Sequence, residues 1–140
     1  MHIPIKVDYS VRALIDLATH QDEGTVRAAD IAERQHIPVA FLDRLMGSLS
    51  KDGLVRSYRG PQGGHALGKD ASEISLGMVM MSAGALETVI GCLEDPDMCF
   101  HVPICSQREI WREVDEAVQR ILDATSIADL VQRMEPVETS

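Results

Sequence analysis

Three cysteines fall within one short stretch, Cys92-Leu93-Glu94-Asp95-Pro96-Asp97-Met98-Cys99-Phe100-His101-Val102-Pro103-Ile104-Cys105, and the chain has no others. Their odd number does not suit a disulfide framework and favours metal or redox chemistry. Three thiols without any ligand role are the plainest alternative, yet unpaired exposed cysteines invite oxidation. Zinc is a second alternative, with His101 as fourth ligand, but the usual pair of cysteines two to four residues apart is missing. An iron–sulfur cluster needs thiolates from a loop able to wrap an inorganic core, and it tolerates one ligand that is not cysteine. The spacing suits that chemistry without fixing the number of irons.

The elements that must position this loop read as mainly helical. Val11, Leu14, Ile15 and Ala18 form one face of a helix over 8–19, with Asp8 or Ser10 available to cap its start. Thr25–Val26 reads as a very short strand. A short helix over 28–35, the turn His36-Ile37-Pro38, and a helix over 39–51 follow, with Phe41, Leu42, Leu45 and Leu49 as the buried stripe of the latter. Gly53 closes that helix. Two short helices across a tight turn make a helix-turn-helix. Strand character over 54–58, the cluster Arg59-Gly60-Pro61-Gln62-Gly63-Gly64 and a return over 65–67 add a β-hairpin wing. Ser75 reads as the N-cap of a helix over 76–82. Residues 92–105 read as loop, with Ser106 capping a long helix to Ala124. That helix carries Ile110, Trp111, Val114, Ala117, Val118, Ile121 and Leu122 as an apolar stripe. A last short helix starts at Ser126, and 135–140 reads as a frayed tail.

The chain carries a net charge of −9, unevenly spread. Residues 1–70 balance nine Lys/Arg against nine Asp/Glu, whereas 71–140 hold four Arg and thirteen Asp/Glu. Residues 27–69 are net +3, so any contact with nucleic acid belongs to the helix-turn-helix half. No apolar run approaches membrane-spanning length, and the first eight residues have no apolar signal core, so a cytoplasmic location is expected. No glycine-rich nucleotide loop beside a βαβ unit and no catalytic triad pattern is present, which leaves a redox enzyme or electron carrier without support.

On the third helix, Arg44 could read guanine, Asp43 could accept from a cytosine amino group and Ala40 could touch a thymine methyl. A surface ion pair is the plainer role for the two charges. Lys51, Arg56 and Ser57 are placed for backbone contacts, and Arg59 with Gly60 at the wing tip can approach phosphates or a narrow minor groove. The stripe of the long helix calls for a partner. An antiparallel copy of itself would match a palindromic operator.

Several stretches together resemble the Rrf2 family of winged-helix regulators, the group that includes IscR, NsrR and RirA. They are Asp8-Tyr9-Ser10-Val11-Arg12-Ala13-Leu14, Asp30-Ile31-Ala32-Glu33-Arg34-Gln35, Gly53-Leu54-Val55, Arg59-Gly60-Pro61-Gln62-Gly63-Gly64, Glu73-Ile74-Ser75-Leu76, Cys92-Leu93-Glu94-Asp95-Pro96, Trp111 and Ala128-Asp129-Leu130. The resemblance implies a homodimeric transcription regulator, with the 39–51 helix in the major groove, Arg59 in the minor groove and Cys92, Cys99 and Cys105 holding a cluster beside the dimerisation helix. IscR-like members place a histidine three residues after the last cysteine for a 2Fe–2S cluster, where this chain has Arg108. NsrR-like members use an acid near the start of the first helix, donated by the other subunit to a 4Fe–4S cluster, and Asp8 matches it. The resemblance therefore favours 4Fe–4S with Asp8 as fourth ligand, His101 being the alternative. The usual aromatic after the double glycine is His65 here, and Ala40, Asp43 and Arg44 depart from IscR-like members, so the operator cannot be borrowed.

The expected organisation is a winged helix-turn-helix DNA-binding region over 1–75, a short helix and cluster loop over 76–105, a dimerisation helix and short helix over 106–134, and a tail. The expected function is a cluster-dependent regulator, a repressor, sensing nitric oxide, redox state or iron supply. The competing reading is a cluster-free regulator sensing through thiols or a small ligand.

Overall fold

The computed structural model describes residues 3–60, 63–84 and 102–134, the side chains of the last stretch from 107 onward. Six α-helices and one two-stranded sheet are present among them: α1 Ile5–Thr19, α2 Ala28–Gln35, α3 Val39–Lys51, β1 Val55–Tyr58, β2 Gly64–Leu67, α4 Leu76–Ser82, α5 Val102–Ala124 and α6 Ile127–Met134. The architecture is the expected one, mainly α with a winged helix-turn-helix and a long helix after it.

One aliphatic core serves α1 to α4 and α6. Leu14 and Leu17 of α1, Ile31 of α2, Leu42, Met46 and Leu49 of α3, Leu54, Ile74, Val79 of α4 and Ile127 of α6 are all buried in it. Each such side chain contributes about 1.5–3 kcal/mol by leaving water. The α2–α3 turn is sharp because His36 adopts a left-handed conformation, φ 56°. The Ile37 N–H then reaches back to the Ala32 carbonyl at 3.0 Å, closing α2. At the end of α3, Gly53 (φ 81°) performs the same service. The Gly53 N–H donates to Ser50 O at 3.1 Å and the Leu54 N–H to Leu49 O at 2.9 Å, the paired bonds of a Schellman stop. The chain leaves α3 directly into β1.

The hairpin is antiparallel, with Val55 opposite Leu67, Arg56 opposite Ala66, Ser57 opposite His65 and Tyr58 opposite Gly64. The short strand expected at Thr25–Val26 is a single bridge, Val26 to His65. Ser75 caps α4 as expected, its Oγ accepting from the Met78 N–H at 3.1 Å. Ser126 and Asp129 cap α6 reciprocally: the Ser126 N–H donates to the Asp129 carboxylate at 2.9 Å and the Asp129 N–H to Ser126 Oγ at 3.1 Å. Two backbone bonds join the segment before α4 to the segment after α5, Leu76 N–H to Thr125 O (2.9 Å) and Ile127 N–H to Ile74 O (2.8 Å). At this seam a Cβ on Gly77 would strike the Asp123 carboxylate, so α4 and the end of α5 meet at closest approach.

Two helix starts differ from the sequence reading. The first helix begins at Ile5, with Pro4 at the N-cap and no side-chain cap. Asp8 and Ser10 therefore lie inside the helix and do not cap it. The Ser10 hydroxyl donates to the Lys6 carbonyl at 2.7 Å. The Pro4 carbonyl already accepts from the Val7 and Asp8 N–H groups at 3.0 and 3.2 Å, so the helix is under way before either polar residue is reached. The long helix begins at Val102, not after Ser106. Pro103 falls in its first turn, where proline costs nothing, and Cys105 lies on the helix instead of in a loop. Cys92, Cys99 and His101 lie outside the described residues.

Candidate nucleic-acid interface and cysteine segment

Helix α3 has two faces. Leu42, Leu45, Met46 and Leu49 are buried, while Ala40, Asp43, Arg44, Gly47, Ser48 and Lys51 are exposed. The wing continues the exposed surface through Arg56, Ser57, Tyr58, Arg59 and Gly60. Its tip is tightened by the Gly63 N–H donating to the Gly60 carbonyl at 2.9 Å. A side chain at Gly63 would collide with the Tyr58 and Arg59 backbone, so only glycine closes this turn. Every residue proposed for DNA contact thus belongs to the solvent-facing side of α3 or to the outer part of the hairpin.

Phe41, expected in the buried stripe, is half-buried and does something more specific. Its ring meets Tyr9 of α1 edge-on, centroids 5.4 Å apart at 89°. The Arg44 guanidinium lies over the Phe41 ring at 5.5 Å, and the Arg12 guanidinium over Tyr9 at 5.6 Å. A cation over a ring is held electrostatically by the ring quadrupole. Arg44 is therefore held against its own helix face. Arg12 also donates to the Gln35 carbonyl at the end of α2 (3.1 Å) and pairs with Asp8 at 2.7 Å.

Asp8 is half-exposed and lies at the edge of an apolar cavity of about 170 Å³. Val7 and Val11 of α1, Leu76 and Met80 of α4 and Leu122 of α5 also line it. The carboxylate is thus on the flank of α1 turned toward α4 and the last turn of α5, at the opposite end of that helix from Cys105. Arg108 sits on α5 one turn beyond Cys105.

The sequence reading missed a buried acid. Asp16 is 1% exposed, yet it lies on the apolar face of α1 between Ala13 and Leu17. Arg34 of α2 donates to it twice, Nε to Oδ2 at 2.9 Å and Nη2 to Oδ1 at 2.7 Å, and Gln35 Nε2 donates at 3.0 Å. Burial pushes its carboxyl upward, but the Arg34 and Gln35 hydrogen bonds and the Arg34 and His20 charges outweigh it, leaving the pKa below the ordinary value. The signal was available: a carboxylate on a buried stripe demands a fixed cation. This clamp locks α1 to α2 and so sets the platform from which α3 projects.

Residues 3–133 match the Rrf2 family, described as an iron-dependent transcriptional regulator. The HTH-type transcriptional regulator IscR of Serratia proteamaculans is 38% identical over 135 residues, 96% of this chain and 82% of that protein. IscR of Yersinia enterocolitica is 36% identical over 140 residues, 100% of this chain and 85% of its own. Among solved structures, CymR, the global cysteine regulator of B. subtilis, superposes with a TM-score of 0.81 at 29% identity, covering 95% of this chain and 98% of that one. T. potens IscR gives 0.79 at 30% identity, covering 100% and 93%.

Proposed function

Because the chain belongs to the Rrf2 family of transcriptional regulators, we propose that it is the iron–sulfur-dependent member type, a homodimeric repressor whose DNA affinity follows its cluster. The observation that carries this reading is the confinement of every cysteine to the segment between α4 and α5, the last of them in the first turn of α5. Three thiolates and one carboxylate make a donor set that fits iron. Asp8 takes the fourth place from the second subunit, since it has no capping duty and in its own chain lies by the last turn of α5, away from Cys105. Its Arg12 pairing is half-exposed and weak enough to be exchanged. When bound, the cluster supplies a reactive, oxidisable centre that nitric oxide, oxygen or iron shortage alters.

The chain's own residues do the rest. The exposed α5 stripe of Ile110, Trp111, Val114 and Ile121 pairs with the same stripe of a second copy. Arg59 and Gly60 approach the minor groove, Ala40, Asp43 and Arg44 face base edges, and Lys51, Arg56 and Ser57 hold the backbone. Only a difference in free energy between the two cluster states can move DNA affinity, and α1, carrying both Asp8 and the Tyr9 ring that touches α3, is the element able to express it.

Anaerobic native mass spectrometry tests this directly, with a mass of two chains plus one cluster per chain expected. Thiolate-to-iron absorption should appear in wild type and vanish in a Cys92/Cys99/Cys105 triple alanine. Its absence from wild type, or its survival in the triple variant, defeats the cluster reading. The likeness to a cysteine regulator supports one competing reading, a cluster-free dimer that senses through thiols or a small ligand. Iron-free protein that binds DNA and releases it on thiol oxidation would establish that alternative.

A further inference from the structure

A cleft at the root of the wing is left without a use by the reading above, Arg56 apart. It encloses about 330 Å³ between the end of α1, the turn Gln21–Glu23 that follows it, and the base of the hairpin. Leu17, Ala66 and Leu67 give it apolar lining, Gln21 an amide, and Arg56, Lys69 and Asp70 its charges.

The space follows from local sequence. Arg56 of β1 lies opposite Ala66 of β2, and cross-strand partners share one face of the ladder. The short Ala66 side chain leaves room beside Arg56 that a larger residue would fill. Gly24 and Gly68 complete the lining without side chains. Gly24 takes φ 87°, and at Gly68 a Cβ would strike the Gly53 carbonyl. The strand wall and the segment after the turn are tied by the Val26–His65 bridge, with N–H to carbonyl bonds of 2.8 and 2.7 Å. Main-chain bonds thus fix the spacing of the two walls before any ligand arrives.

The charges are unequally committed. The Asp70 carboxylate accepts from the Ser72 N–H at 2.9 Å and from Ser72 Oγ at 2.7 Å. Arg12 and Arg34 elsewhere each hold a carboxylate. Arg56 and Lys69 are exposed and form no ion pair or hydrogen bond among the described residues. The acids of the adjoining turn, Asp22 and Glu23, are not part of the lining. We propose that this cleft is an oxyanion site, in which Arg56 and Lys69 together bind a phosphate or carboxylate group and Gln21 adds a third donor.

The chemistry of each residue suits that task. A guanidinium offers a fork that matches two oxygens of one group, and an ammonium adds a compact charge with freely turning donors. The volume is far more than one ion needs and falls at the low end for small-molecule pockets, roughly 300–1,000 Å³, so a short carbon body can follow the head group onto Leu17 and Leu67. Because both cations face water, affinity should be on the order of millimolar. The oxyanion has two sources, a free small anion or a backbone phosphate of bound DNA. A free anion occupies Arg56 and so weakens DNA binding beyond what its ionic strength explains. Only this effect on DNA rests on the reading that Arg56 holds the backbone; the site itself stands without it.

The test uses the full chain prepared without oxygen. Inorganic phosphate and succinate are titrated separately into the millimolar range, at ionic strength held constant with sodium chloride, and followed by ¹H–¹⁵N correlation spectra. These spectra also report whether the variants R56Q and K69Q are folded. DNA affinity is read by fluorescence anisotropy, using a duplex enriched from a random-sequence pool, with R59A alongside. A free anion is the source if either probe gives saturable shifts at Gln21, Gly24 and Ala66 to Lys69 that disappear in R56Q and in K69Q. Phosphate saturating alone identifies a phosphate head, and succinate saturating more tightly identifies a carboxylate with a carbon body. A DNA phosphate is the source if neither probe saturates while K69Q weakens DNA binding and reduces the salt slope by about 0.9. Shifts that survive in both variants overturn the site. So does the absence of saturation together with wild-type DNA binding by K69Q. If R59A still weakens DNA binding in that last case, the cleft fails and the DNA-facing surface stands. If the shifts saturate but R56Q and R59A bind DNA as wild type, the cleft stands and the DNA-facing surface has been misplaced.

Discussion

Two faces of this chain are open to solvent, and they are open for different reasons. The outward side of α3 and the wing is polar and charged, and everything beneath it is packed: Leu42, Met46, Leu49, Leu54 and Val55 lie in a core that is complete within one chain. The outward side of α5 is apolar, with Ile110 58% and Ile121 66% exposed and Trp111 and Val114 partly so. The first face exposes only Val39 and Tyr58 among its large apolar side chains, apart from one another in sequence; the second leaves a continuous stripe open to water. A polar face over a finished core is what a reader of DNA requires, and an apolar face over an unfinished one is what an assembly requires.

The sharpest way to break this contrast is to charge the second face. An Ile110→Glu, Ile121→Glu double variant should shift the mass in light scattering from two chains to one. It should also weaken binding to a two-half-site operator by about a hundredfold or more, since one half-site contact is lost. Its circular dichroism melt should remain cooperative, because the core of α1 to α4 and α6 is untouched; a dimeric mass would remove α5 as the interface.

Next in size comes the clamp beneath the reading face. Arg34→Ala leaves the buried Asp16 carboxylate without its cation and should cost roughly 3 kcal/mol in urea unfolding, the lower end for a broken buried pair because Arg34 is itself partly in water. The same pair predicts acid behaviour. Asp16 has a depressed folded pKa, so its contribution is present above the unfolded carboxylate value and disappears as pH falls through the folded one. Wild type should therefore lose stability steeply under acid, and Arg34→Ala much less so.

On the reading face itself, Arg59→Ala should reduce operator affinity by about 1–2 kcal/mol and flatten its salt dependence, as read in anisotropy titrations at several ionic strengths. Unchanged affinity and slope take Arg59 out of the interface. The smallest effect is local. His36 is held at φ 56° in the α2–α3 turn, where a side chain is strained and glycine is not. His36→Gly should raise stability by about 0.5–1 kcal/mol without altering DNA affinity.

Most of the fold was legible because its signals are short-range. The α2–turn–α3 unit, Gly53, the hairpin and the Ser75 cap each depend on residues a few places apart. The starts of α1 and α5 were misread because proline and a polar capping residue compete for the same role, and in both helices the proline side set the boundary. The Asp16–Arg34 pair joins residues 18 apart and has no local pattern beyond the misplaced acid. The aromatic and cationic stack from Arg12 through Tyr9 and Phe41 to Arg44 was likewise hidden. Each member reads as ordinary surface or core until α1 and α3 cross.

The seam between the Ile74–Leu76 and Thr125–Ile127 segments has an architectural consequence. It brings the end of α5 back to the start of α4, so that the chain from the end of α4 to Thr125 is an excursion closed by main-chain bonds that no side chain dictates, while α4 itself stays in the core through Val79. Loop closure grows only slowly more costly with length, so residues can be added to or removed from that excursion with little penalty to the winged helix. The length and spacing of that stretch can then change while the winged helix keeps its register. The stretch is, in effect, a replaceable cartridge on a fixed mount.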